Sequence, residues 1–370
     1  SSIGAQYYTR ANTSMYVRGN GFPVPGLKVV DAAKQTILRR TTDSGAQILS
    51  DNKIEDRTFG MYVQETLAWE DRLFLTGAVR VDNNSAFGSE INLVTYPKAS
   101  VSWVINEENW FPDSGFLSAL RFRLAYGQSG EQPPAFAAVQ SYTPVPSPYG
   151  GGITTFTSGN PSLAPEVGSE IETGFDLGLF GGRMDVEATY YNTVTKDAIL
   201  KRDVAPSSGF SQAVFVNLGQ VSSQGFEIAV DGLAINREGF RWNLGGHVAY
   251  NEAKIDRLGT GANADTAIIY GIWNIREHRV GYAPHQWFGP QLVSAVWDSG
   301  KKQIANEICQ DGKGGTMACY NADGTLAAPR LFTGHTIAPW ELALSSELAF
   351  GDALRLNLQV VSFQGHKRFD

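Results

Sequence analysis

The chain has 370 residues, a formal net charge of −7, 11% aromatic residues and 40 glycines. That charge excludes a nucleic-acid binder, which carries a basic patch or stripe, and the glycines and aromatics suit a β-rich protein with many turns. No uninterrupted apolar run approaches the roughly 18 residues that a spanning helix needs, so a membrane reading must be a β-barrel.

The chain opens on SSIGAQYYTR, which reads as mid-strand, with no charged n-region or apolar h-region ahead of it. The expectation is an interior piece of a longer protein. Strands are expected near 2–18, 57–69, 72–84, 95–106, 117–128, 168–180, 183–195, 213–235, 240–252, 285–297, 340–350 and 353–363, and no segment makes a convincing helix. Leu73, Leu75, Val79 and Val81 alternate with Arg72, Thr76, Arg80 and Asp82; Leu120, Phe122, Leu124 and Tyr126 alternate with Arg121, Arg123, Ala125 and Gly127. The clearest case is Gly168 to Asn192. Ile171, Thr173, Phe175, Leu177 and Leu179 take one face and Glu170, Glu172 and Asp176 the other, because successive strand side chains point oppositely. After the turn at Gly181-Gly182, Met184, Val186, Ala188 and Tyr190 repeat the pattern.

A soluble antiparallel sandwich also alternates, so connection lengths decide. Short turns at Glu70-Asp71, Gly181-Gly182, Asn236 to Gly239 and Gly351-Asp352 take turns with long connections at 19–56, 129–167, 196–212 and 253–284. This matches an up-and-down transmembrane barrel with short periplasmic turns and long extracellular loops, here a partial barrel of about twelve strands. The parity fails at one place. Strands at 285–297 and 340–350 would run the same way, so either an upward strand hides in 298–338 or 285–297 does not cross. Cys309 and Cys319 sit in a Gly/Asp/Asn-rich loop, where a disulfide competes with two unrelated thiols; the exported context favours the disulfide. No His lies at zinc-site spacing from them.

Several segments then carry a resemblance. Arg80-Val81-Asp82-Asn83-Asn84-Ser85-Ala86-Phe87-Gly88 is followed by Tyr96-Pro97 and Ser100-Val101-Ser102-Trp103, then by LRFRLAYGQSG at 120–130 and Asn160-Pro161-Ser162-Leu163-Ala164-Pro165-Glu166. Glu172-Thr173-Gly174-Phe175-Asp176, Tyr190-Tyr191-Asn192, Thr195-Lys196-Asp197, Asn217-Leu218-Gly219-Gln220-Val221 and Gly225-Phe226-Glu227 continue in the same order. Together they resemble the barrel of a SusC/RagA-type TonB-dependent outer-membrane transporter; Pro165 departs from the family's frequent Trp. The resemblance implies a roughly 22-stranded barrel with a plugged lumen in the outer membrane of a Gram-negative cell, opened by the TonB complex. It further implies a SusD-like surface lipoprotein as partner and a glycan or oligopeptide as cargo. Residues 1–370 would form part of that one barrel domain, without the N-terminal plug and the C-terminal closing strands. Such a piece, with two unpaired edges, is not expected to insert into lipid alone.

Within that frame Arg80, Asp82 and Glu227 read as groups maintaining barrel geometry and lumen polarity, and Glu170 and Glu172 as solvated wall residues. The ligand-binding candidates are the outer-loop aromatics Phe136, Tyr142, Tyr149 and Phe156, with Trp273 and His278 weaker; the competing reading is a loop folded on its own aromatics. A TonB-dependent siderophore or vitamin receptor shares the architecture and is the alternative function. An enzyme is disfavoured, because the five His residues are scattered and no G-x-S-x-G or H-E-x-x-H motif accompanies them. No metal or cofactor is expected: Asp311-Gly312 and Asn321 to Gly324 miss the spacing of a calcium loop.

Overall fold

The computed structural model describes residues 1–16, 19–20, 35–36, 50–91, 93–112, 115–147, 150–202, 204–210, 212–259, 268–270 and 275–368. One antiparallel sheet of eleven strands dominates it. In chain order these are β1 (Ser2–Tyr16), β2 (Ser50–Trp69), β3 (Leu73–Asn84), β4 (Val94–Val104), β5 (Leu117–Glu131), β6 (Glu166–Leu179), β7 (Met184–Arg202), β8 (Val214–Arg237), β9 (Phe240–Arg257), β10 (Trp340–Phe350) and β11 (Leu354–Gln364). Order in the sheet is order in the chain, so every connection is a hairpin. The sheet does not close on itself: β1 and β11 each have one neighbour.

Register turns the alternation of single strands into continuous rows. Leu67, Leu75, Val101, Leu124, Thr173, Tyr190, Phe226, Tyr250 and Trp340 are successive cross-strand partners from β2 to β10. Nearly all are apolar or aromatic, and Leu67 is 61% exposed. Farther along the same face, Leu344 is 66% and Leu358 65% exposed. An apolar surface of this extent in water would be an aggregation liability, whereas in a bilayer it is the lipid contact. Two aromatic levels bound it. Phe226, Tyr250 and Trp340 cluster at one, with Tyr250 and Trp340 rings 4.6 Å apart; Phe240 and Phe350, 5.2 Å apart, mark the other. Trp340 and Phe350 are ten residues apart on β10, about 34 Å along the strand. At a tilt of about 40° that is about 26 Å of depth, matching the roughly 25 Å apolar band of an outer-membrane barrel.

The two ends of the sheet differ as connection lengths demand. One end carries the tight turns after β2, β6, β8 and β10 and the 105–116 connection after β4. Phe180, Gly181 and Gly182 take positive φ (55°, 68° and 78°) in the β6–β7 turn, where glycine is the residue that does so without strain. The other end carries 17–49, 85–93, 132–165, 203–213 and 258–339. Residues 50–56, expected in a loop, extend β2 instead and pair with β1 from Tyr16↔Ser50 to Arg10↔Asp56.

Of the two readings of the parity break, the second holds: the strand expected near 285–297 does not cross but divides into two short strands. Gln286–Gly289 joins Ile268–Tyr270, Arg276–His278 and Leu331–Gly334 in a four-stranded sheet, while Leu292–Asp298 pairs with Gln303–Gln310, itself paired with Thr316–Ala318. Pro290 separates the two pieces; lacking an N–H, it cannot continue a ladder. The described residues of 258–339 therefore belong to one excursion from the loop end, and β9 pairs directly with β10, which restores the up-down parity. Short 3₁₀ turns at Ile105–Glu107 and Pro206–Ser208 are the helical elements among the described residues.

Candidate functional site

The face opposite the apolar rows is the polar inner wall. Toward its loop end, Gln6 and Arg10 of β1, Arg80, Asp82 and Asn84 of β3, Tyr96 of β4 and Glu166 of β6 line a cavity of about 800 Å³. Arg10 donates to buried Asp56 Oδ2 through Nε (2.9 Å) and Nη2 (2.6 Å). Arg80 Nε donates to Asp82 Oδ2 at 2.9 Å and Nη2 reaches Gln6 Oε1 at 3.5 Å. Gly60 makes this pair possible, since a Cβ there would lie 2.2 Å from Asp82 Oδ1 and 2.4 Å from Arg80 Nη2. Asn84 Nδ2 donates to Thr58 Oγ1 at 2.6 Å while its Oδ1 accepts from the Ala86 N–H at 2.7 Å. Asp56 Oδ1 has no hydrogen-bond partner among the described residues, which leaves a buried acceptor beside the lumen. Such a wall offers fixed donors and acceptors to a polar ligand.

Nearer the turn end a second charged group crosses β5 and β6. Asp176 accepts from Arg121 Nε at 2.5 Å and Arg123 Nε at 3.0 Å, and Arg123 Nη1 approaches Glu172 Oε1 at 3.6 Å. Two cations balance two carboxylates, so this belt is neutral. Glu170 accepts from Thr193 Oγ1 at 2.7 Å. These acids are thus engaged with wall partners.

The quoted motifs meet each other in space. Leu163 is fully buried, its carbonyl accepts from the Gly88 N–H at 2.8 Å, and a Cβ on Gly88 would strike Pro161 O at 2.0 Å. Asn217 Oδ1 accepts from Ala164 N at 2.9 Å and its Nδ2 donates back to Ala164 O at 2.8 Å. Asn160 Nδ2 donates to Phe215 O at 2.9 Å. The segments around 88, 160–164 and 217 are one interlocked rim that holds the loops over the inner wall.

Of the aromatic candidates, Phe136 lies at positive φ (64°) in the turn after β5, and Tyr142 and Phe156 sit on the two strands of the hairpin Ser141–Ser147 and Gly150–Thr157. They are 59%, 54% and 42% exposed. Tyr149 and Trp273 lie outside the described residues. His278 stacks edge-on with His285, ring centroids 4.4 Å apart; burial, followed by the charge of His285, lowers its pKa from 6.5 to about 4. It belongs to the 258–339 lobe, whose centre is Phe288, ringed by Tyr282 and Phe332 at 5.1 and 5.8 Å. Fully buried Glu277 is held there by Arg279 Nη2 at 2.5 Å and by Arg330 Nε. Cys309 and Cys319 are disulfide-bonded and buried.

Arg80 and Asp82 are legible in the sequence as wall residues; Arg10, Asp56 and Gln132, whose Nε2 donates to Asp56 Oδ2 at 3.4 Å, are not. The period-2 pattern of Ile54, Asp56, Thr58, Gly60 and Tyr62 is the available signal, hidden because the expected strand starts at 57 whereas β2 starts at Ser50. Among the described residues no cluster of three His, Cys, Asp or Glu could hold a metal ion.

An apolar belt of membrane depth, a polar inner wall and an extended loop end define an outer-membrane β-barrel. The chain belongs to the TonB-dependent receptor β-barrel family: the family profile "TonB dependent receptor-like, beta-barrel" matches residues 2–343. Its similarities run to SusC- and RagA-type receptors. It is 24% identical over 267 residues to the TonB-dependent receptor SusC of Bacteroides thetaiotaomicron, a match covering 67% of this chain and 26% of SusC. It is 27% identical over 202 residues to the TonB-dependent receptor P39 of Formosa agariphila, covering 54% and 19%. In fold it is similar to the RagAB peptide importer in the "open-open" state, with a TM-score of 0.77 at 18% identity over 98% of this chain and 38% of that one. The chain therefore spans a fifth to two fifths of the length of these three proteins.

Proposed function

We propose that this chain forms barrel wall and outer loops of a TonB-dependent importer that brings oligosaccharides or oligopeptides across the outer membrane. The polar cavity at the loop end of the inner wall carries the proposal. Arg10, Arg80, Asp82 and Asn84 line it, on a scaffold whose other face is apolar and exposed, which supports a path for polar cargo along this wall. Further strands close the barrel at the edges of β1 and β11, a plug fills the lumen, and the TonB complex opens it. A SusD-like surface lipoprotein delivers cargo to the loop end, where exposed Phe136, Tyr142 and Phe156, together with Tyr149 and Trp273, stack on sugar rings or pack against the lid. No enzymatic step is involved.

The test deletes the gene in its native host and measures growth on single oligosaccharides and on peptides. Loss of growth on one of these, restored by the wild-type gene but not in a strain lacking TonB, supports the importer. A defect confined to iron- or vitamin-limited medium would assign the barrel to chelate or vitamin uptake instead. Replacing Phe136, Tyr142 and Phe156 by Ala in the full-length protein is expected to reduce uptake; unchanged uptake removes these loops from the cargo path.

A further inference from the structure

The lipid-facing side of the sheet is not evenly filled. Near the turn end, where β7 to β11 run side by side, lies a depression of about 860 Å³ walled by Met184, Val230, Trp242, Leu244, Leu344 and Leu358, with Gly232 and Gly246 among its lining residues. Gly232 pairs with Met184 and Leu244, and Gly246 with Val230 and Leu344. Neither takes positive φ. A Cβ at Gly246 would meet only Leu344 Cδ2, at 3.7 Å, and one at Gly232 would come no nearer than 3.6 Å to any atom. Gly225 on the inner face differs, since a Cβ there would lie 2.3 Å from the Tyr250 carbonyl oxygen. Backbone and crowding thus require glycine at 225 but not at 232 or 246. Glycine inside a strand weakens it and recurs where another group approaches closely; here its effect is to leave room.

Depth and charge identify what the room fits. Leu344 is six residues from Phe350, about 20 Å along the strand, or about 15 Å of depth at a tilt of about 40°. That is one leaflet of a hydrocarbon core of about 30 Å. Short turns face the periplasm in such barrels. Arg183 stands at that end of the depression, where its Nη2 donates to the Leu233 and Ala234 carbonyls at 3.2 and 3.4 Å. Nε and Nη1 have no partner among the described residues, and a guanidinium fork suits phosphate. The Trp242 indole N–H donates to Ser346 Oγ at 2.9 Å, so neither group competes for a ligand and the wall stays apolar. We propose that this depression binds one phospholipid of the periplasmic leaflet, its acyl chain lying over Gly232 and Gly246 and its phosphate paired with Arg183. The proposal rests on the barrel's place in the membrane and not on its cargo.

Native mass spectrometry of the full-length receptor, extracted in mild detergent and washed free of bulk lipid, tests it. Wild type retains one phospholipid per polypeptide, whereas Gly246→Leu, which fills the depression, and Arg183→Gln each lose it. Retention by folded Gly246→Leu equal to wild type, or no retention by wild type, overturns the site. A second measurement does not depend on that variant folding: quenching of Trp242 fluorescence in nanodiscs containing acyl-brominated phosphatidylglycerol, taken as wild type minus Trp242→Phe. Quenching that saturates at low mole fraction marks a bound lipid. Quenching that rises in proportion to mole fraction marks ordinary annular contact and refutes the proposal.

Discussion

Single residues carry the least redundant parts of the structure. Glu277 is fully buried between Arg279 and Arg330, and removing one partner of a buried ion pair leaves uncompensated charge at a cost of about 3–5 kcal/mol. Glu277→Ala is therefore expected to destabilise the 258–339 lobe by that order while the membrane-spanning rows stay intact. Hydrogen exchange should show faster amides at Arg276–His278 and Leu331–Gly334 and unchanged ones in β9 and β10. His278 adds a pH dependence of definite sign. Its pKa lies below the ordinary 6.5, at about 4, so the unfolded lobe binds a proton more readily than the folded one. Stability is complete above pH 6.5 and declines as pH falls from there toward 4. Exchange in the lobe should be faster at pH 5 than at pH 7 after correction for intrinsic rates; equal protection would contradict this. Neither residue's role was legible in the sequence, because Glu277 and Arg330 are 53 positions apart and meet only through the pairing of Gln286–Gly289 with Leu331–Gly334.

Strands were legible in proportion to how two-faced they are. The β6–β7 hairpin, with Gly181-Gly182 at its turn and alternation unbroken on both arms, matches its expected limits within a few residues at the turn end. Residues 285–297 look equally apolar, but Phe288 is buried inside the lobe while Val296 and Trp297 are 59% and 63% exposed on the neighbouring hairpin. Period alone cannot separate a membrane strand from these two pieces; Pro290 was the readable break. The same lobe shows what the cysteines do. Their bond joins Gln303–Gln310 to the segment after Thr316–Ala318 across a separation of ten, and closing so short a loop contributes about 2–3 kcal/mol. Replacing both by Ser should open the 311–315 turn to limited proteolysis without altering heat-modifiability of the full-length barrel. An equally resistant turn would show that the ladder alone holds it.

At the scale of the whole molecule, the chain is one continuous wall. Eleven strands in chain order place every odd position of β3 and β6 on the apolar face and every even one on the polar face, so orientation, depth and polarity follow from a single register. The cavity at the loop end was only half visible beforehand. Arg80 and Asp82 stand in a recognisable segment, whereas Arg10 reaches the same cavity, with Asp56 as its partner, through the pairing of β1 with β2, a register that the alternation of either strand alone does not set. The lipid depression had no sequence signal at all, since Gly232 and Gly246 look like any other strand glycine until their neighbours are known.

One face of this sheet meets lipid and the other a watery lumen. Spin labels placed singly at positions 170 to 178 of β6 in the full-length receptor, reconstituted in bilayers, test it most directly. Collision with oxygen should peak at Ile171, Phe175 and Leu177, and collision with a water-soluble nickel chelate at Glu170, Glu172 and Asp176, alternating at every residue. Equal accessibility of both sets to the nickel probe would rule out the lipid-facing side and make the sheet a wall between two aqueous compartments.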